Sequence, residues 1–320
     1  RILERAGVWR RIKQLLGEVA ECRVDGDPRA QVRRGMILGL GMVYGSPTQA
    51  GRAARAAFRL ARHMFPNSDL AARAAHRLFV VLLSEGSVNS QLGHDCRRLL
   101  EERARQTGDL RLQYTTLANL AVWYLDTGDL EASEMTLRDA EGLVAGSEAT
   151  NERQNLATNR GDLLLRQNEA AQALGFFEEA ESLIDAGTRG FLRDICRSGV
   201  GICHLRMGRF RAAELALSDV GAHDHYYFDP SLPVRLRVEV LWHRGKRDEA
   251  LEHLAASRLR IRSSFVPQYL NLMLWEVALR RRSERPGGLD LAREAIEIAE
   301  PLGLNRVVAR AKALADLDRS

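Results

Sequence analysis

Eight consecutive residues carry the densest chemistry in this chain: His223, Asp224, His225, Tyr226, Tyr227, Phe228, Asp229 and Pro230. Two imidazoles and two carboxylates this close could supply a zinc site through His223, His225 and Asp224 or Asp229. The aromatics offer another use, a flat contact for a ligand or partner with His223, His225, Tyr226 and Tyr227 as its polar tips. The plainer reading is a connecting loop whose aromatics plug a groove between helices. That reading is favoured, and neither a metal nor a cofactor is expected.

A second set is scattered along helical stretches and gains meaning only from the repeat described below. In that register Arg73, His76, Asp126, Asn155, Asp162, Arg166, Arg206, Arg235, Glu239, Trp242 and His243 fall on the outward side of the first helices of successive pairs. Mixed charge with a tryptophan suits a polar ligand or a peptide. An ordinary solvated helix face explains any single one of these residues equally well, and His243 beside Trp242 reads as packed rather than catalytic. Arg166, Arg206 and Arg244 or Arg247 recur near equivalent repeat ends. They could clamp a carboxylate or phosphate, although a repeating register alone would also produce such a ladder. No phosphate loop, G-x-S-x-G or H-E-x-x-H string is present, and no catalysis is expected.

The chain has 320 residues, 45% hydrophobic and 28% charged, an ordinary globular composition. Of 47 basic residues all but Lys13, Lys246 and Lys312 are arginine, a bias that points to a GC-rich bacterial genome. The net charge of +5 reads as spread along the chain, with acids near most arginine pairs, so direct nucleic-acid contact is not expected. Cys22, Cys96, Cys196 and Cys203 form no C-x-x-C pair. Cys196 and Cys203 sit two turns apart on one helix face, too far for a disulfide. Buried small hydrophobes in a reducing cytoplasm is the reading for all four. No signal peptide and no long apolar run occur, so neither export nor a membrane span is expected. The chain begins at Arg1 rather than Met, which suggests a fragment of a longer protein.

What must position these side chains is a repeat. Leu117, Leu120, Ala121, Tyr124, Gly128, Leu130, Ser133, Leu137 and Ala140 match Ala157, Arg160, Gly161, Leu164, Asn168, Ala170, Ala173, Phe177 and Ala180 at a step of 40. The same step leads on to Arg197, Val200, Gly201, His204, Gly208, Phe210, Ala213, Leu217 and Val220. Repetition at this scale means a solenoid of supersecondary units that bury their apolar faces only by stacking. Small residues (Ala121, Gly161, Gly201, Ala173, Ala213, Ala250) allow close helix approach. Tyr124, Leu137, Phe177, Phe210 and Leu217 fill the space between. Gly128, Gly208 and Gly245 supply the left-handed turn that ends each first helix.

Outside the best-matching stretch, helical periodicity continues. Residues 2–22 read as one amphipathic helix with Val8, Ile12, Leu15, Leu16 and Val19 inward. A glycine-rich helix bearing Gly35, Gly39 and Gly41 follows, then helices over about 48–64, 69–83 and 90–106. After residue 221 come helices over 233–243, 247–257, 264–282 and 289–300, with 280–288 as a longer loop and 304–317 as a final capping helix.

These positions resemble the tetratricopeptide repeat family in the small residue of the first helix, the turn glycine, and the paired small residues of the second helix. The likeness is strong over 109–257 and weak outside it. The aromatic that opens the family's first helix is absent, and the period is 40 against the usual ~34. A HEAT-type solenoid fits the period but not the glycine and alanine positions. The long period resembles the C-terminal sensor region of bacterial signal-transduction ATPases with numerous domains (STAND), including maltose-activator-like and other large LuxR-type regulators.

The resemblance implies an all-α, right-handed superhelical solenoid of antiparallel helix pairs over 1–320. Divergent repeats occupy 1–107, the best matches 108–260, and a divergent repeat with its cap 261–320. It further implies a non-catalytic, cytoplasmic sensing domain that binds a protein, a peptide or a small-molecule inducer in its concave groove. The alternatives are a freestanding scaffold that docks a peptide or helix, and a HEAT-like accessory to an enzyme.

Overall fold

The computed structural model describes residues 14–24, 26–39, 47–84, 87–145, 150–184, 190–218, 220, 231–261, 266–301 and 305–316. Every regular element among them is an α-helix. Residues 14–21 are helical and precede α1 (Pro28–Gly39), α2 (Pro47–Met64), α3 (Asp69–Ser84), α4 (Gln91–Gln106), α5 (Leu110–Thr127) and α6 (Leu130–Val144). Next come α7 (Thr150–Arg166), α8 (Ala170–Ser182), α9 (Gly190–Arg206), α10 (Phe210–Leu217) and α11 (Leu232–His243). The chain ends with α12 (Arg247–Ile261), α13 (Val266–Arg282), α14 (Gly288–Ala299) and α15 (Asn305–Asp316). Expected boundaries hold closely, except that α12 runs about a turn beyond residue 257. Residues 1–13, where Val8 and Ile12 were expected to face inward, lie outside the described residues. Within 14–21 the correction is Leu15, which is 42% exposed.

Among the described residues the turn inside a pair is built the same way five times. Gly128 adopts φ 84°, and the N–H groups of Gly128 and Asp129 donate to the carbonyls of Leu125 and Tyr124. Two crossing bonds of this kind satisfy carbonyls that the helix end leaves open. Asn168 (φ 65°), Gly208 (71°), Gly245 (76°) and Glu284 (55°) repeat the pattern with their own neighbours. The connection between α13 and α14 is the longer one expected of 280–288: it makes the same turn with Glu284 in the left-handed position, then continues to a second left-handed residue, Gly287 at φ 86°, before α14 begins. Asp109 and Asp129 then start α5 and α6 by accepting from the N–H groups of Leu112 and Ala132 at 3.0 and 3.1 Å, which relieves unpaired donors there.

The chain divides into two compact units, and the division falls within α9 between Cys203 and His204. In the first unit α1 packs on α3, α3 on α5 and α5 on α7, while α2, α4, α6 and α8 each pack on their own first helix. The first helices thus form a continuous wall. Its core is led by Phe58, Leu78, Phe79, Leu82, Leu100 and Trp123, with the Phe79 and Trp123 rings stacked at 5.3 Å. Ser133, at a small-residue position of α6, is fully buried and donates its hydroxyl to the Ala121 carbonyl at 3.0 Å, so the close approach leaves no orphaned group. Phe177 of α8 lies between two glycines. A Cβ on Gly161 of α7 would sit 2.7 Å from its ring, and one on Gly199 of α9 would sit 2.4 Å away.

In the second unit α11–α15 bury Val238, Leu254, Leu272, Tyr269, Leu270 and Met273. A polar network runs through this core. Arg258 donates to Glu276 at 3.1 Å and to the Tyr269 hydroxyl at 3.0 Å; that hydroxyl donates to Glu294 at 3.0 Å, and Arg280 donates to Glu276 at 2.9 Å. Glu276 is only 1% exposed, so its charge is held almost wholly by these two guanidiniums.

Candidate binding groove

The repeat register places polar groups on one face of each first helix in the first unit. On α5 the face reads Thr115, Asn119, Val122 and Asp126. Forty residues on, α7 presents Asn155, Asn159, Asp162 and Arg166. Steps of four, three and four keep each set on a single face. Because α3, α5 and α7 touch in succession, the faces join into one polar strip along the wall.

At the α3 end Arg73 pairs with Asp109 at 2.9 Å. His76 bridges α3 to α5, with Nε2 2.9 Å from the Thr116 hydroxyl and Nδ1 2.7 Å from the Asn119 side-chain nitrogen. The Thr116 hydroxyl spends its single proton on the Leu112 carbonyl at 2.7 Å, so it accepts from His76. Nε2 therefore carries the proton, and Nδ1 accepts from Asn119. Burial, then Arg73 and Arg77, lower the imidazole to about 3. Neutral His76 is thus a fully satisfied strut between two repeats.

At the other end Arg166 donates to Asp126 at 3.3 Å across the repeat boundary. Asp162 is exposed to solvent, although many protein atoms surround its carboxyl. Desolvation raises its carboxyl to about 6; Arg166 opposes the shift and the nearby Asp126 carboxylate adds to it. Asp126 is also shifted up, by desolvation, against the pull of Arg166. Between the two ends the Tyr114 hydroxyl donates to the Glu152 carbonyl at 2.8 Å and also engages Asn155. Asn159 is 5% exposed and its amide nitrogen has no hydrogen-bond partner among the described residues.

The structure therefore places Arg73, His76, Asp126, Asn155, Asp162 and Arg166 along one wall, with Arg73 at the Asp109 end of α5 and Arg166 at its Asp126 end. Arg206, Arg235, Glu239, Trp242 and His243 belong to the second unit. Arg206 and Glu239 are exposed and Arg235 is half-buried. Trp242 is half-buried rather than outward, with the Arg247 guanidinium 5.6 Å above its ring. His243 stacks on Phe210 at 5.0 Å with the rings 8° from parallel. Of the arginines read as a ladder, Arg166 is bound to Asp126, Arg244 to Glu214, and Arg247 lies on Trp242. His223, His225, Tyr226 and Tyr227 lie outside the described residues.

Among the described residues no three His, Cys, Asp or Glu side chains stand close enough to hold a metal ion. No described helix is long and apolar enough to cross a membrane. Cys96, Cys196 and Cys203 are buried thiols as expected, and Cys22 is exposed, contrary to expectation. Sequence reading missed Thr116, Asn119 and Asn159. The asparagines were findable, since Asn119 and Asn159 occupy the same repeat position; Thr116 was not, because its role depends on where His76 comes to rest.

No family model and no curated protein matches the chain. Solved structures do. A tetratricopeptide repeat protein from Parabacteroides merdae is 15% identical with a TM-score of 0.54, over 91% of this chain and 99% of that one. The APC/C hetero-tetramer Cut9–Hcn1 aligns with a TM-score of 0.57 at 11% identity, over 96% of this chain. Yeast Tom70 aligns at 0.53 and 12%, over 98%. The chain spans 53% and 59% of the lengths of those last two chains. At such identities the likeness shows the fold: an all-α, tetratricopeptide-like solenoid of helix pairs.

Proposed function

We propose that this chain is a non-catalytic repeat module that holds a polypeptide segment along the first-helix wall of its first unit, where a longer signalling or transcription regulator would use it as a sensing region. The observation that carries the reading is the continuous strip from Arg73 through Asn119, Asn155 and Asp162 to Arg166. It offers amide donors and acceptors along its middle and charges at both ends. An extended backbone needs such alternating partners, and a solenoid wall presents them at regular intervals. The fold supports the coarser part of the reading, a helical-repeat scaffold of the protein-binding kind. The 40-residue period supports the regulator setting.

Photo-crosslinking tests this in the cell that makes the protein. A benzophenone amino acid placed at Thr115 or Asn155 should yield a discrete protein adduct. The same group at Glu131 or Glu178, on second helices, should not. Adducts from both faces alike, or from the second helices alone, would refute the groove assignment.

A further inference from the structure

Between Asp27 and Asp69 the chain holds seven arginines and neither an aspartate nor a glutamate. That exceeds the net +5 of the whole chain, so everything outside this stretch is net acidic. The charge is therefore not evenly spread, as expected from the sequence, but concentrated on the first described helix pair. On α2, Arg52, Arg55, Arg59, Arg62 and His63 recur at steps of three and four along one side of an 18-residue helix. Arg52 to Arg62 covers about 15 Å of that helix.

Neighbouring groups neutralise only part of this strip. Arg62 binds Asp95 at 2.5 Å, and Asp95 also accepts from Arg98 at 2.9 Å and from Gln91 at 3.3 Å. One carboxylate is thus shared among three donors. Arg52 and Arg59 are exposed and make no ion pair among the described residues. Arg59, Arg62 and His63 of α2 line an open cavity of about 610 Å³ together with Phe58 and, from α4, Gln91, Leu92 and Asp95, the one carboxylate in the lining, which Arg62 and Arg98 already hold. The positive end of the α4 dipole reinforces the field there.

We infer that this arginine face of α2, with the cavity beside it, is a docking surface for an acidic protein segment rich in glutamate or aspartate. Charge complementarity selects an anion. The size and lining of the site favour a peptide over a nucleic acid. The strip is one helix long, Phe58 and Leu92 give the cavity an apolar part that suits the methylenes of glutamate, and no exposed Phe, Tyr or Trp is described on α1–α4 to stack on a base. Guanidiniums at this spacing can each grip a carboxylate with two parallel bonds. This surface lies on a second helix, apart from the groove residues, so it stands or falls independently of the groove.

The test is fluorescence anisotropy on the full chain with a labelled octaglutamate peptide, at low and at physiological ionic strength. Paired substitution Arg52→Glu with Arg59→Glu should weaken binding about tenfold or more. The matched pair Arg211→Glu with Arg310→Glu, at exposed sites remote in sequence, should change it less than about twofold. Equal losses in both pairs would mean that total charge alone is being read, and no binding at low ionic strength would remove the site; either overturns the inference. So would a DNA duplex of equal net charge that binds more tightly than the peptide and depends on the same two arginines. Circular dichroism and melting checks guard against misfolding. If the Glu pair melts early, Arg52→Gln with Arg59→Gln gives the same contrast at about half the effect, and its failure to do so overturns the inference equally.

Discussion

The sharpest consequence of the groove geometry is that His76 stays neutral well below the pH at which a free histidine is half charged. Its ring nitrogens are committed, Nε2 donating to Thr116 and Nδ1 accepting from Asn119. A second proton at Nδ1 would face an N–H, beside Arg73 and Arg77, in a site with little water to screen it. Burial is the leading cause of the shift from 6.5 to about 3, and the two arginines add to it. The sign follows from proton counts. Between these values the unfolded chain binds the proton and the folded chain does not, so this residue's contribution to stability is whole above pH 6.5 and is lost progressively as pH falls toward 3. The ceiling on the slope is about 1.4 kcal/mol per pH unit, hence up to about 2 kcal/mol between pH 6.5 and 5. Asp162 works in the opposite direction. Its folded value near 6 lies above the ordinary 3.8, so the folded state takes up a proton first as pH falls between them, which offsets part of the loss. Being open to solvent, it offsets less than the shift implies.

The two contributions separate by substitution. His76→Gln keeps a donor for Thr116 and an acceptor for Asn119 but cannot titrate. Urea unfolding followed through amide exchange in α3 and α5 should give a difference, parent minus variant, that rises with pH from 5 to 6.5 and levels off above. Proton NMR of the His76 ring should show no titration midpoint above pH 5. A midpoint near 6.5, or a flat difference curve, would refute the strut.

Four further outcomes follow from the packing. Gly199→Ala should cost about 1–3 kcal/mol, because its Cβ would sit 2.4 Å from the Phe177 ring; Phe177→Leu in the same chain should recover part of the melting temperature. Glu276→Ala should cost about 3–5 kcal/mol in chemical denaturation, since it strands Arg258 in the core of the second unit, whereas Arg258→Met with Glu276→Leu should cost clearly less than that single change. Glu284→Gly should raise the melting temperature by relieving a left-handed glutamate worth about 1 kcal/mol, an effect absent for Gly at an ordinary helix position. Native protein should show one fast thiol, Cys22, with Cys96 and Cys196 unreactive until unfolding because burial raises both thiols.

How far the sequence could be read depends on the distance over which each feature is decided. Helix spans and turns are settled within a few residues, so Gly128, Gly208 and Gly245 marked their turns from sequence alone. Glu284 left no such mark because glutamate has no preference for positive φ; there the stacked helices on either side impose the conformation. The groove is decided across repeats. Arg73, Asp126, Asn155, Asp162 and Arg166 could be placed on a face by periodicity, yet the partners of His76 lie 40 and 43 residues away, and no local pattern distinguishes a strut from a solvated histidine. Gly199 shows the same limit: the 40-residue register marked Gly161, which meets the Phe177 ring from α7, but it left no mark on Gly199, which meets the same ring from α9. The arginine face of α2 is a different kind of miss, since its residues are contiguous in the sequence. A net charge averages over the chain, whereas a docking surface depends on the longest run without a compensating charge. In the first unit the two surfaces differ in this respect. The groove largely pairs its charges, Arg73 with Asp109 and Arg166 with Asp126, which suits a partner recognised mainly through hydrogen bonds. On the α2 face Arg52 and Arg59 have no ion-pair partner among the described residues, which suits one drawn in by charge. Raising the ionic strength should therefore weaken binding at the α2 face far more than binding in the groove.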